Sequence, residues 1–209
     1  KVTILDRGSS LLKHEDKDIA EGIAEIFKNE GIHIQLNSNC ISAQKVGKHI
    51  EVTHECKDNS APVKGTHLLL ATGRIPNTDK LGLEHTNVKL DDNGHIKVND
   101  ALKTTVDHIW ALGDCNGQGG FTHTSYNDFQ IVNSHLFLDN KRNLSDRYLR
   151  YAAFIDPPVA RVGMNESEIK EKGIKAKVAS MPMSKIARAK EMGETQGKLK
   201  IYIDAKTDK

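Results

Sequence analysis

Asp114 is a carboxylate delivered at the end of a short apolar run, Ile109-Trp110-Ala111-Leu112, by Gly113, and a loop holding Gly117, Gly119 and Gly120 follows it. The run has the length of a buried strand, and a glycine at its carboxyl end frees the backbone to turn there. Open α/β sheets bind ligands beyond the carboxyl ends of their strands, which is where this pattern places Asp114. Past the glycines the chain becomes helical, with Thr122 or Thr124 as N-cap and Tyr126, Phe129, Val132 and Leu136 at approximate helical spacing. A helix start offers amides without intrahelical partners, which suit an anion or an electron-rich carbonyl, while a carboxylate accepts from sugar hydroxyls. Together they fit a nucleotide-like cofactor with polyol and ring oxygens. Asp and Gly are also the default turn residues, so the same stretch spells a simple strand-to-turn junction.

A second acidic strand tip opens the chain. Val2, Ile4 and Leu5 read as a strand ending in Asp6-Arg7-Gly8. In a dinucleotide fold an acidic residue here accepts from ribose hydroxyls, and a neighbouring Arg would meet a 2′-phosphate, so Asp6 with Arg7 leaves NADH and NADPH both open. A plain turn Asp is the alternative. The glycine fingerprint expected about 20 residues before such a strand lies outside these residues, and the chain therefore reads as a fragment of a longer protein. The three cysteines, Cys40, Cys56 and Cys115, form no CxxC or CxxxxC pair, and the ten histidines are scattered without metal-ligand spacing. No metal site is expected.

The elements that must position these residues follow from periodicity. Ile19, Ile23, Ile26 and Phe27 share one face of a helix over residues 15–30, with Gly31 at its end. Ile32, Ile34 and Leu36 alternate as a strand, and extended runs around Ile41 and around Ile50 and Val52 flank a Gly47-Lys48 turn. Leu68-Leu69-Leu70-Ala71 is continuously apolar, which predicts a strand covered on both faces that ends at Thr72-Gly73-Arg74. Gly73 would let backbone approach a ligand; Arg74 fits either a ligand contact or a packing role. Asp91-Asp92-Asn93-Gly94 followed by His95-Ile96-Lys97-Val98 predicts a peripheral hairpin. Residues 139–150 form a polar connector. After it come strands at residues 151–154 and 159–162, a helix capped by Asn165 with Glu168 three residues on and closed by Gly173, and strands at residues 175–179 and 198–204.

Interspersed charge with a formal net of +2 gives no basic block for nucleic acid, and no apolar run is long enough to span a bilayer. The expectation is a cytoplasmic protein with neither a nucleic-acid nor a membrane partner.

The run from Ile109 to Asp114 resembles the second flavin-binding motif of the FAD-dependent pyridine nucleotide-disulfide oxidoreductases. Leu68-Leu69-Leu70-Ala71-Thr72-Gly73-Arg74-Ile75-Pro76-Asn77-Thr78 resembles that family's ATGRxPNT segment, and Pro157-Pro158-Val159-Ala160-Arg161-Val162-Gly163 resembles the entry to its dimerisation domain. Three ordered motifs span most of the chain, and the run from Phe121 to Asp128 most resembles the mercuric reductase-like branch, with dihydrolipoamide dehydrogenase as the competing assignment.

The resemblance implies an α/β fold in which partial Rossmann-like nucleotide-binding domains precede the start of an α+β dimerisation domain. Residues 1–76 would be part of an NAD(P)-binding domain, 77–148 the C-terminal segment of an FAD-binding domain, and 149–209 part of the dimerisation domain. It implies FAD and NAD(P)H as cofactors, hydride passing from NAD(P)H through FAD to a disulfide or thiol-bound substrate, and a homodimer. Asp114, Gly113 and Thr122 would serve the flavin, and Asp6, Gly73 and Cys40 the dinucleotide, though a small buried thiol is the commoner role for a residue such as Cys40. The family's redox cysteine pair and its His-Pro acid/base lie outside these residues, so no catalytic residue is assigned. A non-catalytic nucleotide-binding or dimerisation module is the alternative from another class.

Overall fold

The computed structural model describes residues 1–55 and 61–208, with Cys40 and Glu55 described by backbone alone; Cys56 lies outside the described residues. The chain divides into two compact units, Lys1–Leu69 with Leu149–Lys209, and Leu70–Tyr148.

The first unit opens with strand β1 (Thr3–Leu5), helix α1 (Lys17–Asn29) and strand β2 (His33–Gln35), and β1 pairs β2 in parallel, Ile4 opposite Ile34. A parallel pair needs a crossover, and α1 supplies it by burying Ala20, Ile23 and Ile26 on one face. The helix stops where expected, with Gly31 in the left-handed region at φ +79°. Strands β3 (Asn39–Val46), β4 (His49–Glu55) and β5 (Val63–Gly65) form an antiparallel sheet in that order, turning at Gly47 and Lys48. Later in the chain, β6 (Arg150–Ala153) pairs antiparallel with β7 (Val159–Val162). Helix α3 (Glu166–Glu171) follows, and the Asn165 side chain accepts from the Glu168 amide while the Glu168 carboxylate accepts from the Asn165 amide, the reciprocal cap the sequence spells. Strand β8 (Ala176–Pro182), helix α4 (Ala187–Met192) and strand β9 (Lys198–Asp204) complete the unit, β8 antiparallel to β9.

Polar side chains tie the start of α1 to this later segment. The Tyr202 hydroxyl donates to Asp16 Oδ2 at 2.7 Å, and the Glu166 amide donates to Asp16 Oδ1 at 2.8 Å. Lys200 Nζ lies 3.0 Å from Asp16 and 2.9 Å from Asp18, and Arg161 bridges Glu15 and Glu168.

In the second unit Val88, Ile96 and Ala111 form a small core to which Leu83, Val98, Val106, Ile109 and Cys115 add partly buried surface. Helix α2 (Thr122–Phe137) buries Thr124, Asp128, Ile131 and Ser134, and its last carbonyls accept from Lys141 Nζ.

Four expectations need correction. Residues 109–112 run extended but form one isolated bridge, Lys103 with Trp110, instead of a ladder. Leu68-Leu69-Leu70-Ala71 forms no strand, and Leu69 and Leu70 are 87% and 75% exposed. Both errors have one cause: an apolar run marks where a strand would be covered, but a ladder exists only where a second strand pairs with it, and no described strand pairs with either run. The hairpin predicted around residues 91–98 does turn back, the Asp91 amide donating to the His95 carbonyl and the Lys97 amide to the Lys89 carbonyl, but it amounts to one bridge, Leu90 with Ile96, and it is not peripheral, since Ile96 lies buried in the core of its unit. The N-cap of α2 is Phe121, with no side-chain cap, and Thr122 is the first helical residue. Strand β5 and helix α4 are too short to leave a period.

Candidate functional site

The chain at Gly113 is turned into the left-handed region, φ +78°, and residues Gly113–Asn116 form one 3-10 turn that carries Asp114. A side chain at position 113 would meet Ser125 Oγ at 3.1 Å, and one at 119, where φ is +142°, would meet Thr124 Cγ2 at 2.7 Å. The glycines therefore let the loop lie directly on the first turn of α2. In that turn the Thr124 and Ser125 amides both donate to the Phe121 carbonyl, so the Thr122 and His123 amides precede the first hydrogen-bonded turn.

The loop is held from beneath by a carboxylate with no solvent exposure. Asp128 Oδ2 accepts from the Gly113 amide at 2.8 Å and from the Asn116 side-chain amide at 2.9 Å. Its other oxygen pairs with the Arg147 guanidinium, which also donates to Asn127 Oδ1 at 2.7 Å and to the Gln118 carbonyl at 3.2 Å. Asn116 donates further to the Ala111 carbonyl at 3.0 Å. Above this base the Asp114 carboxylate stands 52% exposed, and among the described residues its ion-pair partner is the exposed Arg74, at 3.8 Å. An exposed acceptor on a braced base beside amides that precede the first turn of the helix has the donor and acceptor set that a polyol and an electron-rich ring carbonyl require.

The pyridine nucleotide-disulphide oxidoreductase family model matches residues 1–128, and the dimerisation-domain model of the same family matches residues 150–209. The chain belongs to the pyridine nucleotide-disulphide oxidoreductase family. Over its whole length it is 38% identical to the probable pyridine nucleotide-disulfide oxidoreductase RclA of Escherichia coli, of which it covers 47%. It is 30% identical, again over all of this chain, to the mercuric reductase of Staphylococcus aureus, of which it covers 38%. The solved structure of the HOCl-induced flavoprotein disulfide reductase RclA from Escherichia coli superposes with a TM-score of 0.88 at 37% identity, over 99% of this chain and 47% of that one. The chain thus spans about half the length, or less, of these relatives.

Within this family member the six residues singled out from sequence fall into two groups. Gly113, Asp114 and Thr122 meet at the loop on α2, and Gly73, at φ +118° with open space where a side chain would stand, precedes the Arg74 that reaches Asp114. Asp6 and Cys40 belong to the other unit. Asp6 follows β1 and is exposed, and its Oδ1 accepts from the Gly8 amide at 2.6 Å, which fixes the turn at the strand tip. Cys40 lies in β3, and its side chain is outside the described residues. Sequence reasoning missed Asp128, Asn116 and Arg147. The available signal was Asp128 itself, an acidic residue one position from Phe129 in a helix whose inward face it shares with Thr124, Ile131 and Ser134. Among the described residues no three His, Cys, Asp or Glu side chains are grouped to hold a metal, and no helix is long and apolar enough to cross a membrane.

Proposed function

We propose that the protein carrying this chain is an FAD-dependent oxidoreductase that passes hydride from NAD(P)H through the flavin to a disulfide or thiol-bound substrate, in the manner of the mercuric reductase-like branch. The observation that carries the reading is the half-exposed Asp114 carboxylate, fixed at a glycine turn beside the Thr122 and His123 amides, which precede the first hydrogen-bonded turn of α2. Asp114 would accept from ribityl hydroxyls of the flavin, with Gly113 allowing the close approach. The Thr122 amide would face the carbonyl end of the ring and favour negative charge there. The flavin, when bound, would supply the redox chemistry between nicotinamide and sulfur. In this reading residues 1–76 belong to the NAD(P)-binding domain, 77–148 to the FAD domain and 149–209 to the dimerisation domain of a homodimer. Asp6 would accept from the adenosine ribose, and Gly73 and Cys40 would lie along the dinucleotide.

The test is Asp114→Ala in the full-length gene product. Losing charge-assisted hydrogen bonds worth about 1.5–3 kcal/mol should strip flavin during purification and dilution; undiminished flavin absorbance would refute the assignment. For Asp6, a carboxylate repels a 2′-phosphate, so NADH should outperform NADPH and Asp6→Ser should narrow that preference. A preference that does not move removes Asp6 from the dinucleotide site.

A further inference from the structure

We infer that Asp128, neutralised by Arg147, is the positioning residue of the flavin-facing loop: its buried carboxylate sets the backbone at Gly113 and thereby the direction in which Asp114 points. The inference rests on the flavin reading of Asp114 and extends it to residues that would touch no cofactor. Asp128 is wholly buried, and a buried carboxylate persists as an anion only when charge and hydrogen bonds compensate it. Here the compensation is directed at one object. Two bonds go to the ends of the 3-10 turn, at the Gly113 amide and the Asn116 side chain, so the turn bearing Asp114 is gripped on both sides of that residue. Arg147 closes the arrangement by joining the carboxylate to the Gln118 carbonyl farther along the same loop. A helix-packing role alone would need none of these loop contacts.

The chemistry of the grip dictates the consequence. Gly113 is in the left-handed region, which glycine enters more readily than other residues, and its amide is held there by the bond to Asp128 Oδ2 at 2.8 Å. An amide at 128 keeps one acceptor oxygen for three donors: turned to the loop it leaves its NH2 against the Arg147 guanidinium, and turned to Arg147 it leaves the Gly113 and Asn116 donors unmet, so neither orientation satisfies all three. The loop then loses a fixed direction while α2 keeps its Ile131 and Ser134 packing.

The experiment uses the full-length gene product with Asp128→Asn, Arg147→Met and the double variant. Flavin affinity is read by quenching of free FAD fluorescence on titration into deflavinated protein, and exchange of the Gly113 amide is followed in the same apo-protein. Asp128→Asn should weaken FAD binding about tenfold or more and accelerate Gly113 exchange, with NAD(P)H affinity unchanged. The double variant should bind FAD better than Arg147→Met alone, because it removes both buried charges instead of stranding one. Unchanged FAD affinity and Gly113 exchange in a folded Asp128→Asn protein would overturn the inference, as would loss of NAD(P)H and FAD binding in equal measure. If the wild-type protein binds no FAD, the functional reading fails, whereas accelerated Gly113 exchange would still establish that Asp128 holds the loop.

Discussion

Around Asp128 one carboxylate without solvent exposure faces one guanidinium and two neutral donors, whereas around Lys200 one ammonium faces Asp16, Asp18 and Glu166 at 2.9–3.8 Å with the Tyr202 hydroxyl on Asp16. The first cluster is balanced one to one, so removing either charge strands the other in the interior. The second is redundant and partly wet: Asp18 and Glu166 keep solvent contact, and Asp16 retains two further donors if Lys200 is lost. Sensitivity to substitution should therefore be concentrated in the first and distributed in the second.

The sharpest break is Arg147→Met. It leaves Asp128 buried without a counter-charge and should cost about 3–5 kcal/mol, read as lost amide-exchange protection across α2. In the other cluster Lys200→Met should cost about 1–3 kcal/mol, because Tyr202 and the Glu166 amide still hold Asp16, and Asp18→Asn should cost under about 1 kcal/mol. Denaturant titration of the full-length variants checks the order. Equal losses at Arg147 and Asp18 would erase the contrast.

Acidity sharpens it differently. Burial works against the charge of Asp16, yet the hydrogen bonds from Tyr202, the Glu166 amide and Lys200 outweigh it and hold its carboxyl below the ordinary value. Burial likewise disfavours the Lys200 ammonium, but its Tyr202 and carboxylate partners raise its pKa; the Tyr202 phenol is pushed up to about 12, first by burial. A depressed carboxyl contributes stability above its unfolded pKa of ~3.9, lost as pH falls through the lower folded value. The raised groups contribute stability below their unfolded values of ~10, lost as pH climbs through the folded ones. Protection of the amides of β9 and the start of α1, measured relative to their intrinsic exchange at each pH, should stay constant between about pH 5 and 9 and fall outside that range.

The smallest effect reports on Asp128 from a neighbour. Cys115 is a free thiol whose pKa burial raises, with the Asp128 and Asp114 charges adding to the rise against two backbone hydrogen bonds. Its alkylation at pH 7.5, followed by peptide mass, should be slower than that of an unperturbed thiol with pKa ~8.5, and faster in Asp128→Asn by less than about tenfold.

Local pattern carried what local forces decide. The apolar spacing of Ile19, Ile23 and Ile26, the Asn165 and Glu168 cap and the Asp114 turn were all legible, because each is settled within a few residues. The grip on that turn was not. Asp128 is a polar residue at an inward helix position, and its counter-charge stands 19 residues on, in a segment that reads as a polar connector. Residues 68–71 failed for the complementary reason: hydrophobic composition states a demand for cover, and no spacing rule says which strand meets it.

The bonds on Asp16 also impose an order in time. Its partners lie 150 and 186 residues further along the chain, at Glu166 and Tyr202. At ~5–20 residues per second of synthesis, the first turn of α1 waits roughly 10–40 s after it is made before those donors exist. During that interval the parallel pair of β1 and β2 can form on the packing of Ile23 and Ile26, but the helix start holds acidic side chains turned to water. The emergence of β9 thus completes the set of donors on Asp16, and a ribosome stalled before Lys200 would leave the β1-α1-β2 unit held there by the Glu166 amide alone.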